Sequence, residues 1–221
     1  MKIKWLGHSC FLITTSKGDK ILTDPYDHTV GYKVENIDAD IVTISHEHFD
    51  HNYRAMLKNM DKAIFLDKPG SFSFKDGLIE VKGVSTFHDS ESGAKRGKNT
   101  VFVFGIEGIK ICHCGDLGHI LTENQIEEIG KVDILMVPVG GIYTIDYREA
   151  SIVCSLLKPR WIIPMHYKTE RLKFSTDGVD KFLKVMDKFE VAKEQEFFLD
   201  MNAPDKGAHK EGIILLDYKN N

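Results

Sequence analysis

The segment Ser45-His46-Glu47-His48-Phe49-Asp50-His51-Asn52 places four groups able to bind a metal within six positions, directly after the apolar run Asp40–Ile44. In extended chain, residues two apart share a face, so His46 and His48 can grip one ion. Asp50 and His51 fall past the bend towards the next helix and can aim at a second. The spacing is not that of the helical H-E-x-x-H metalloprotease motif, because His51 lies five residues from His46 rather than four. A polar loop that is rich in histidine by chance is the duller account. Clusters this dense default to metal binding or catalysis.

Three further candidates stand at the ends of later apolar segments. His88 closes Val84-Ser85-Thr86-Phe87, Asp116 follows Ile111-Cys112-His113-Cys114-Gly115, and His166 follows Trp161-Ile162-Ile163-Pro164-Met165. Alone, each reads more naturally as a cap or a hydrogen-bonded residue. Together they repeat one pattern, a rigid strand with a ligand-type residue at its mouth, which is how scaffolds position sites. Gly115 is expected to let the backbone approach a metal closely. Asp24 either braces the ligands by hydrogen bonding or opens an Asp-Pro turn. His8, His119, Tyr143 and Tyr167 are candidate pocket residues, since each lies beside a motif or a strand end; for His8 and His119 an ordinary turn or cap is an equal reading. Gly140-Gly141 suits either a close approach of substrate or a plain turn. Strand alternation sends Cys112 and Cys114 to one face and His113 to the other, so buried inert thiols are expected there.

The elements that must hold these residues are mostly strands. β-Branched and aromatic runs predict them near Ile3–Leu6, Cys10–Thr14, Lys20–Thr23, Asp40–Ser45, Ala63–Leu66, Phe72–Phe74, Leu78–Phe87, Thr100–Ile106 and Ile109–Cys114. Tight turns fall at Ser16–Asp19 and Glu107-Gly108. Later strands are expected at Asp133–Val137, Arg160–Pro164, Glu196–Leu199 and Gly212–Leu216. Helices fit Tyr53–Asn59, Glu123–Ile129, Asp146–Leu157 and Gly178–Phe189, the third with Asp146 as its cap and Pro159 beyond its end. The order implies an α+β chain with two sheets face to face and helices outside. One domain over residues 1–221 is expected, with no repeat or linker.

With these motifs in order, the sequence strongly resembles the metallo-β-lactamase-fold hydrolase superfamily. The H-x-H-x-D-H run, the later His, the Gly-Asp pair and the final His follow that family's sequence over nearly the whole chain. Ile21-Leu22-Thr23-Asp24-Pro25 looks like its first motif, whose Asp supports the ligands. The Leu6-Gly7-His8-Ser9 opening, the Gly115-Asp116 pair and Pro164-Met165-His166-Tyr167 resemble the subgroup containing L-ascorbate-6-phosphate lactonase. The resemblance implies a four-layer αββα sandwich of two mixed sheets. It also implies two divalent ions: His46, His48 and His88 on one, Asp50, His51 and His166 on the other, and Asp116 bridging. The nitrogen and oxygen ligands suit zinc first, with manganese or iron as alternatives. Two such ions ~3.5–4 Å apart lower the pKa of a shared water and give a hydroxide nucleophile at cellular pH. His48, Asp50 and Asp116 are the expected catalytic groups, Asp50 orienting the nucleophile or relaying a proton.

Composition narrows the alternatives. The chain has 221 residues, 29 Lys and Arg against 33 Asp and Glu, and a formal net charge of -4. No broad basic region serves nucleic acid, so a nuclease ranks below hydrolysis of a small ester, lactone or phosphoester, anionic ones included. No apolar run approaches the ~18 residues of a membrane span, and no signal peptide is evident, so a cytoplasmic protein with four reduced cysteines is expected, with no membrane partner. The oligomeric state is left open by the sequence. A non-catalytic metal-binding protein is a further class, since fold does not fix function. The polar segment Asp89–Asn99 reads as a flap offering Lys95, Arg96 or Lys98 to an anion, or as a solvated loop. Lys168 and Arg171 pose the same choice.

Overall fold

Alternating apolar strands such as Ile79–Phe87 and continuously apolar ones such as Ile134–Pro138 and Trp161–Met165 build two mixed sheets. The structure, a computed structural model, describes residues 1–33, 36–200 and 211–218. The first sheet contains β1 (Lys2–Gly7), β2 (Cys10–Thr14), β3 (Lys20–Thr23), β4 (Ile41–Thr43) and β5 (Ile64–Leu66), and β13 (Glu196–Phe198) pairs with β1 at its edge. The second runs β12 (Val191–Glu194), β14 (Gly212–Leu216), β11 (Trp161–Met165), β10 (Ile134–Pro138), β9 (Ile109–His113), β8 (Lys98–Ile106), β7 (Ile79–Phe87) and β6 (Gly70–Phe74). Two mixed sheets with helices on the outer side of the second are the α+β arrangement that the sequence implies.

Alternation explains how the first sheet is buried on both sides. Ile21 and Ile41 face the core shared with the second sheet, where Trp5, Phe11, Phe102, Phe104 and Trp161 are also buried. Their neighbours Leu22 and Val42 point the other way, into a second cluster with Leu6, Tyr26, Tyr32 and Leu172. Over the second sheet, α1 (Glu123–Ile129) packs on β7, α2 (Tyr147–Leu157) on β10, and α3 (Val179–Val185) on α2. Asp146 caps α2 by accepting from the amides of Arg148 and Glu149, while Glu149 reaches back to the Asp146 amide. No helix among the described residues is long and apolar enough to cross a membrane.

Two expectations fail locally. The helix expected over Tyr53–Asn59 is only a 3-10 turn at Arg54–Met56. The amide of Tyr53 is spent on Pro25 O at 2.8 Å, and Leu57 is drawn into extended chain where Ile37 donates to Met56 O and accepts from the Lys58 amide, both at 3.0 Å. The first sheet's outer face is thus covered by this turn, a second 3-10 turn at His28–Val30 and their loops. Conversely, β12 has no counterpart among the expected strands, because its half-exposed, charged sequence Val-Ala-Lys-Glu shows no clear apolar face until β14 pairs with it.

Strand direction decides where the motif residues end up. β3 runs parallel to β4, and β1 shares that direction through two antiparallel steps. In the second sheet β9, β10 and β11 are parallel, and β7 points the same way because β8 opposes both β7 and β9. Within each sheet, therefore, the carboxyl ends of the motif-bearing strands gather along one edge.

Candidate metal centre

At those strand ends the motif residues converge. His46, His48 and His88 each offer a ligand atom within 4.8 Å of the others, as do His46, His51 and Asp116, and also His8, His51 and His166. Asp116 lies centrally: its Oδ2 is 3.2 Å from His51 Nε2, 3.4 Å from His88 Nε2 and 3.3 Å from His166 Nε2. Asp50 Oδ2 lies 3.7 Å from His51 Nε2 and accepts from His8 Nε2 at 3.2 Å.

The supporting hydrogen bonds fix which ring nitrogens face inward. Asp24 Oδ1 accepts from the Ser45 amide at 2.7 Å, and its Oδ2 accepts from His51 Nδ1 at 2.9 Å and from Ser45 Oγ at 2.7 Å. Having given its proton to Asp24, the Ser45 hydroxyl can only accept from His46 Nδ1, 2.9 Å away. One carboxylate thereby keeps the Nδ1 proton of both rings directed away from the centre, so that Nε2 of each is the nitrogen turned inward. Nε2 of His46 and of His51, and Asp116 Oδ1, are buried without a hydrogen-bond partner. Unpaired buried polar atoms are costly, and a cation shared among these lone pairs would satisfy them. The donor set fits a divalent metal.

Electrostatics agree. Burial opposes the ionisation of Asp24, Asp50 and Asp116, yet the surrounding imidazoles outweigh it and hold all three carboxyls below the ordinary range. Burial, reinforced by neighbouring histidines, lowers His46 to about 2 and His8 to about 4, and burial also lowers His88. His51 is the exception: burial lowers it, but Asp116 and Asp50 raise it well above the usual imidazole value. Ionised carboxylates beside mostly neutral imidazoles are a cation's environment.

Close chain approach makes the convergence possible. His8, Asp24 and His166 all adopt left-handed backbone, with φ of 55°, 41° and 53°, a strain typical of functional sites. The His8 carbonyl accepts from Trp5 Nε1 at 3.0 Å and from the His166 amide at 3.2 Å, tying the end of β1 to the end of β11. A Cβ at Gly140 would meet His166 O at 2.1 Å, so this glycine admits the neighbouring strand end. Gly115 has a different role from the one expected: a Cβ there would fall 2.5 Å from both Ser45 Cβ and Asn99 Oδ1, so it lets the two sheets meet. Asn99 holds the Asp116 amide at 3.0 Å while donating to Thr86 Oγ1 and Cys114 O. Sequence reasoning singles out neither Asn99 nor Ser45; Ser45 has the signal of a hydroxyl next to His46, and Asn99 has none.

The centre opens into a cavity of about 520 Å³ lined in part by Phe49, Arg96, Tyr143 and Phe174. Tyr143 therefore lies in the pocket, and His8 lies behind it against Asp50. Two other expected pocket residues do not. His119 turns away, its Nε2 accepting from the Phe87 amide at 3.2 Å and its Nδ1 donating to Ile120 O. Tyr167 points opposite to His166 and packs on Trp5 with ring centroids 5.2 Å apart. Lys168 is likewise engaged elsewhere, donating to Leu172 O and Phe174 O. Cys112 and Cys114 are buried free thiols, and His113 sits apart from them, donating to Ser9 O at 2.8 Å.

The beta-lactamase superfamily domain matches residues 2–166. A UPF0173 protein of Pyrococcus furiosus is 33% identical over 201 residues, covering 85% of this chain and 91% of its own length. The chain belongs to the UPF0173 metal-dependent hydrolase family of the metallo-β-lactamase superfamily. A further UPF0173 metal-dependent hydrolase, from Thermococcus kodakarensis, is 31% identical over 195 residues, with 76% of this chain and 85% of the relative covered. Among solved structures, a Thermotoga maritima protein described as a Zn-dependent hydrolase of the same superfamily is 42% identical. It covers 97% of this chain and 98% of its own, with a TM-score of 0.75. Within this UPF0173 chain, the superfamily match ends at His166, the last of the convergent histidines.

Proposed function

We propose that this protein is a dinuclear metal-dependent hydrolase of a small ester, lactone or phosphoester. His46, His48 and His88 hold one divalent ion, and Asp50, His51 and His166 the other. Asp116 lies between them. The observation that carries this reading is Asp116 Oδ2 at 3.2–3.4 Å from three imidazole nitrogens drawn from both groups. Bound there, divalent ions would supply Lewis acidity and make a hydroxide nucleophile available near neutral pH. The chain's own groups do the remaining work. Asp50 is ionised near neutral pH, and its Oδ2, fixed by the His8 Nε2 donor, is placed to accept a proton at the edge of the cavity. Phe49, Tyr143 and Phe174 supply an apolar wall that limits water around the bound substrate. Lactones head the candidate substrates because Leu6-Gly7-His8-Ser9, Gly115-Asp116 and Pro164-Met165-His166-Tyr167 resemble the subgroup containing L-ascorbate-6-phosphate lactonase.

The test is metal analysis of the purified protein together with a screen of esters, lactones and phosphodiesters. About two equivalents of zinc, manganese or iron are expected, with turnover of at least one class. Asp116→Ala should lose metal and activity together. An Asp116→Ala protein that keeps both its metal and full turnover would overturn the reading.

A further inference from the structure

Among the described residues lining the cavity, Arg96 is the one Lys or Arg. Its placement is constructed by two separate turns. On its own side, the Asp89 carboxylate gathers four backbone amides: Oδ1 accepts from Glu91 and Gly93 at 2.8 and 2.9 Å, Oδ2 from Lys95 and Arg96 at 3.0 and 2.7 Å. The segment after His88 is therefore wound around an anion of its own, not a bare solvated hairpin. Lys95 pairs outward with Glu91, and Lys98 is exposed. Only Arg96 turns inward.

Across the mouth, Ile142 has φ of 60°, a rare conformation for a β-branched residue. The Tyr143 amide donates back to Gly141 O at 2.6 Å, closing a three-residue turn of the strained kind. The turn presents two features to the same guanidinium. Arg96 Nη2 donates to Ile142 O at 3.2 Å, and the Arg96 guanidinium carbon sits 5.0 Å from the Tyr143 ring centroid. Strain retained to fix one side chain calls for a purpose. Only one of the five guanidinium N–H groups is used by Ile142, leaving a planar fork over the cavity. Opposite it, Phe174 stacks edge-on with Phe49 and lies 6.3 Å from Tyr143 between ring centroids. The rim carboxylate outside the ligand set, Glu47, is already engaged by Asn52 Nδ2 at 2.8 Å.

We propose that Arg96 is a specificity-determining residue that selects substrates carrying an oxyanion group, a carboxylate or a phosphate, on an apolar or aryl body. The body lies among Phe49, Tyr143 and Phe174, with the scissile bond at the metal ligands and the oxyanion on the guanidinium. This rests on the hydrolase reading for turnover, but not for binding.

The test uses the full-length, metal-loaded protein and two matched esters, phenyl acetate and 4-acetoxybenzoate. Replacing Arg96 by Gln (R96Q) should raise KM for the anionic ester by about 10- to 100-fold, the value of a lost charge-assisted hydrogen bond. KM for the neutral ester and both kcat values should stay near wild type. R96K, which keeps the charge without the fork, should recover part of the loss. An equal effect on both esters, or none, overturns the proposal. Should the wild type hydrolyse neither ester, calorimetric binding of naphthalene-2-sulfonate decides. About tenfold or greater weakening in R96Q supports the anion site while the hydrolase reading falls; unchanged affinity, or no binding by the wild type, overturns the site.

Discussion

Replacing Asp24 by Asn isolates the hydrogen-bond logic of the centre from its shape. Asn tolerates the left-handed backbone that Asp24 adopts at φ 41°, and it is isosteric, so the turn survives. With the amide oxygen still accepting from the Ser45 amide, an NH2 replaces Oδ2. Two donors now face donors: the amide against His51 Nδ1–H, and the amide against the Ser45 hydroxyl. The cheapest relief is for His51 to move its proton to Nε2, and for Ser45 to turn its hydroxyl towards His46 Nδ1, which moves that proton to Nε2 as well. Each ring then loses the lone pair that a metal needs. Partners of this kind are worth about 10–100-fold in metal affinity, or about 1.4–2.7 kcal/mol. The assay is competition with a chromophoric chelator, beside thermal unfolding of the metal-free protein. On the proposed two-ion assignment, Asp24→Asn should bind both equivalents more weakly, because one carboxylate braces a histidine in each group. Unchanged affinity, or weakening confined to protein that also fails to fold, would refute the tautomer argument.

Two other substitutions come from the geometry. Asp89→Asn turns two of the four converging amides against an NH2, so the Arg96 turn should loosen and KM for an anionic ester should rise without a matching change for its neutral partner. Burial opposes ionisation of Asp89, but its backbone donors prevail and bring the carboxyl from the usual 3.8 to about 2. Its stabilising contribution is thus complete above about pH 4 and fades as pH falls towards 2, a slope that melting curves of Asp89→Asn should lack. Gly118→Ala would put a Cβ 2.2 Å from the Asp89 amide nitrogen and the His88 carbonyl carbon. Overpacking against backbone should cost on the order of 1–3 kcal/mol, read as a lower Tm, and a Tm equal to wild type would show that the loop yields freely.

The sequence carries the convergence well because each candidate ligand follows a short apolar, β-branched or aromatic segment that reads as a strand. Ile41–Thr43 before the histidine cluster, Val84–Phe87 before His88 and Trp161–Met165 before His166 all show this. What it does not carry is direction and local competition for backbone donors. Adjacency to a motif puts Tyr167 and His119 on the same footing as Tyr143, yet neighbouring residues in a strand end face opposite ways, and of these three only Tyr143 meets the cavity. The Arg54–Met56 turn fails to lengthen because Pro25 and Ile37, distant in sequence, claim its neighbours. Likewise, nothing in Lys95-Arg96-Gly97-Lys98 says which cation turns inward; the four amides on Asp89 decide it.

The ligand groups also straddle the two halves of the polypeptide. His46 and His48 come from the six-stranded sheet and His88 from the eight-stranded one, and the same division separates His51 from His166. Neither half alone supplies a complete set of the proposed ligands. On the proposed assignment, bound ions would act as clasps across the seam, closing only once both sheets have docked. Capture of metal should come late in folding, and its release should be the first step by which the seam opens.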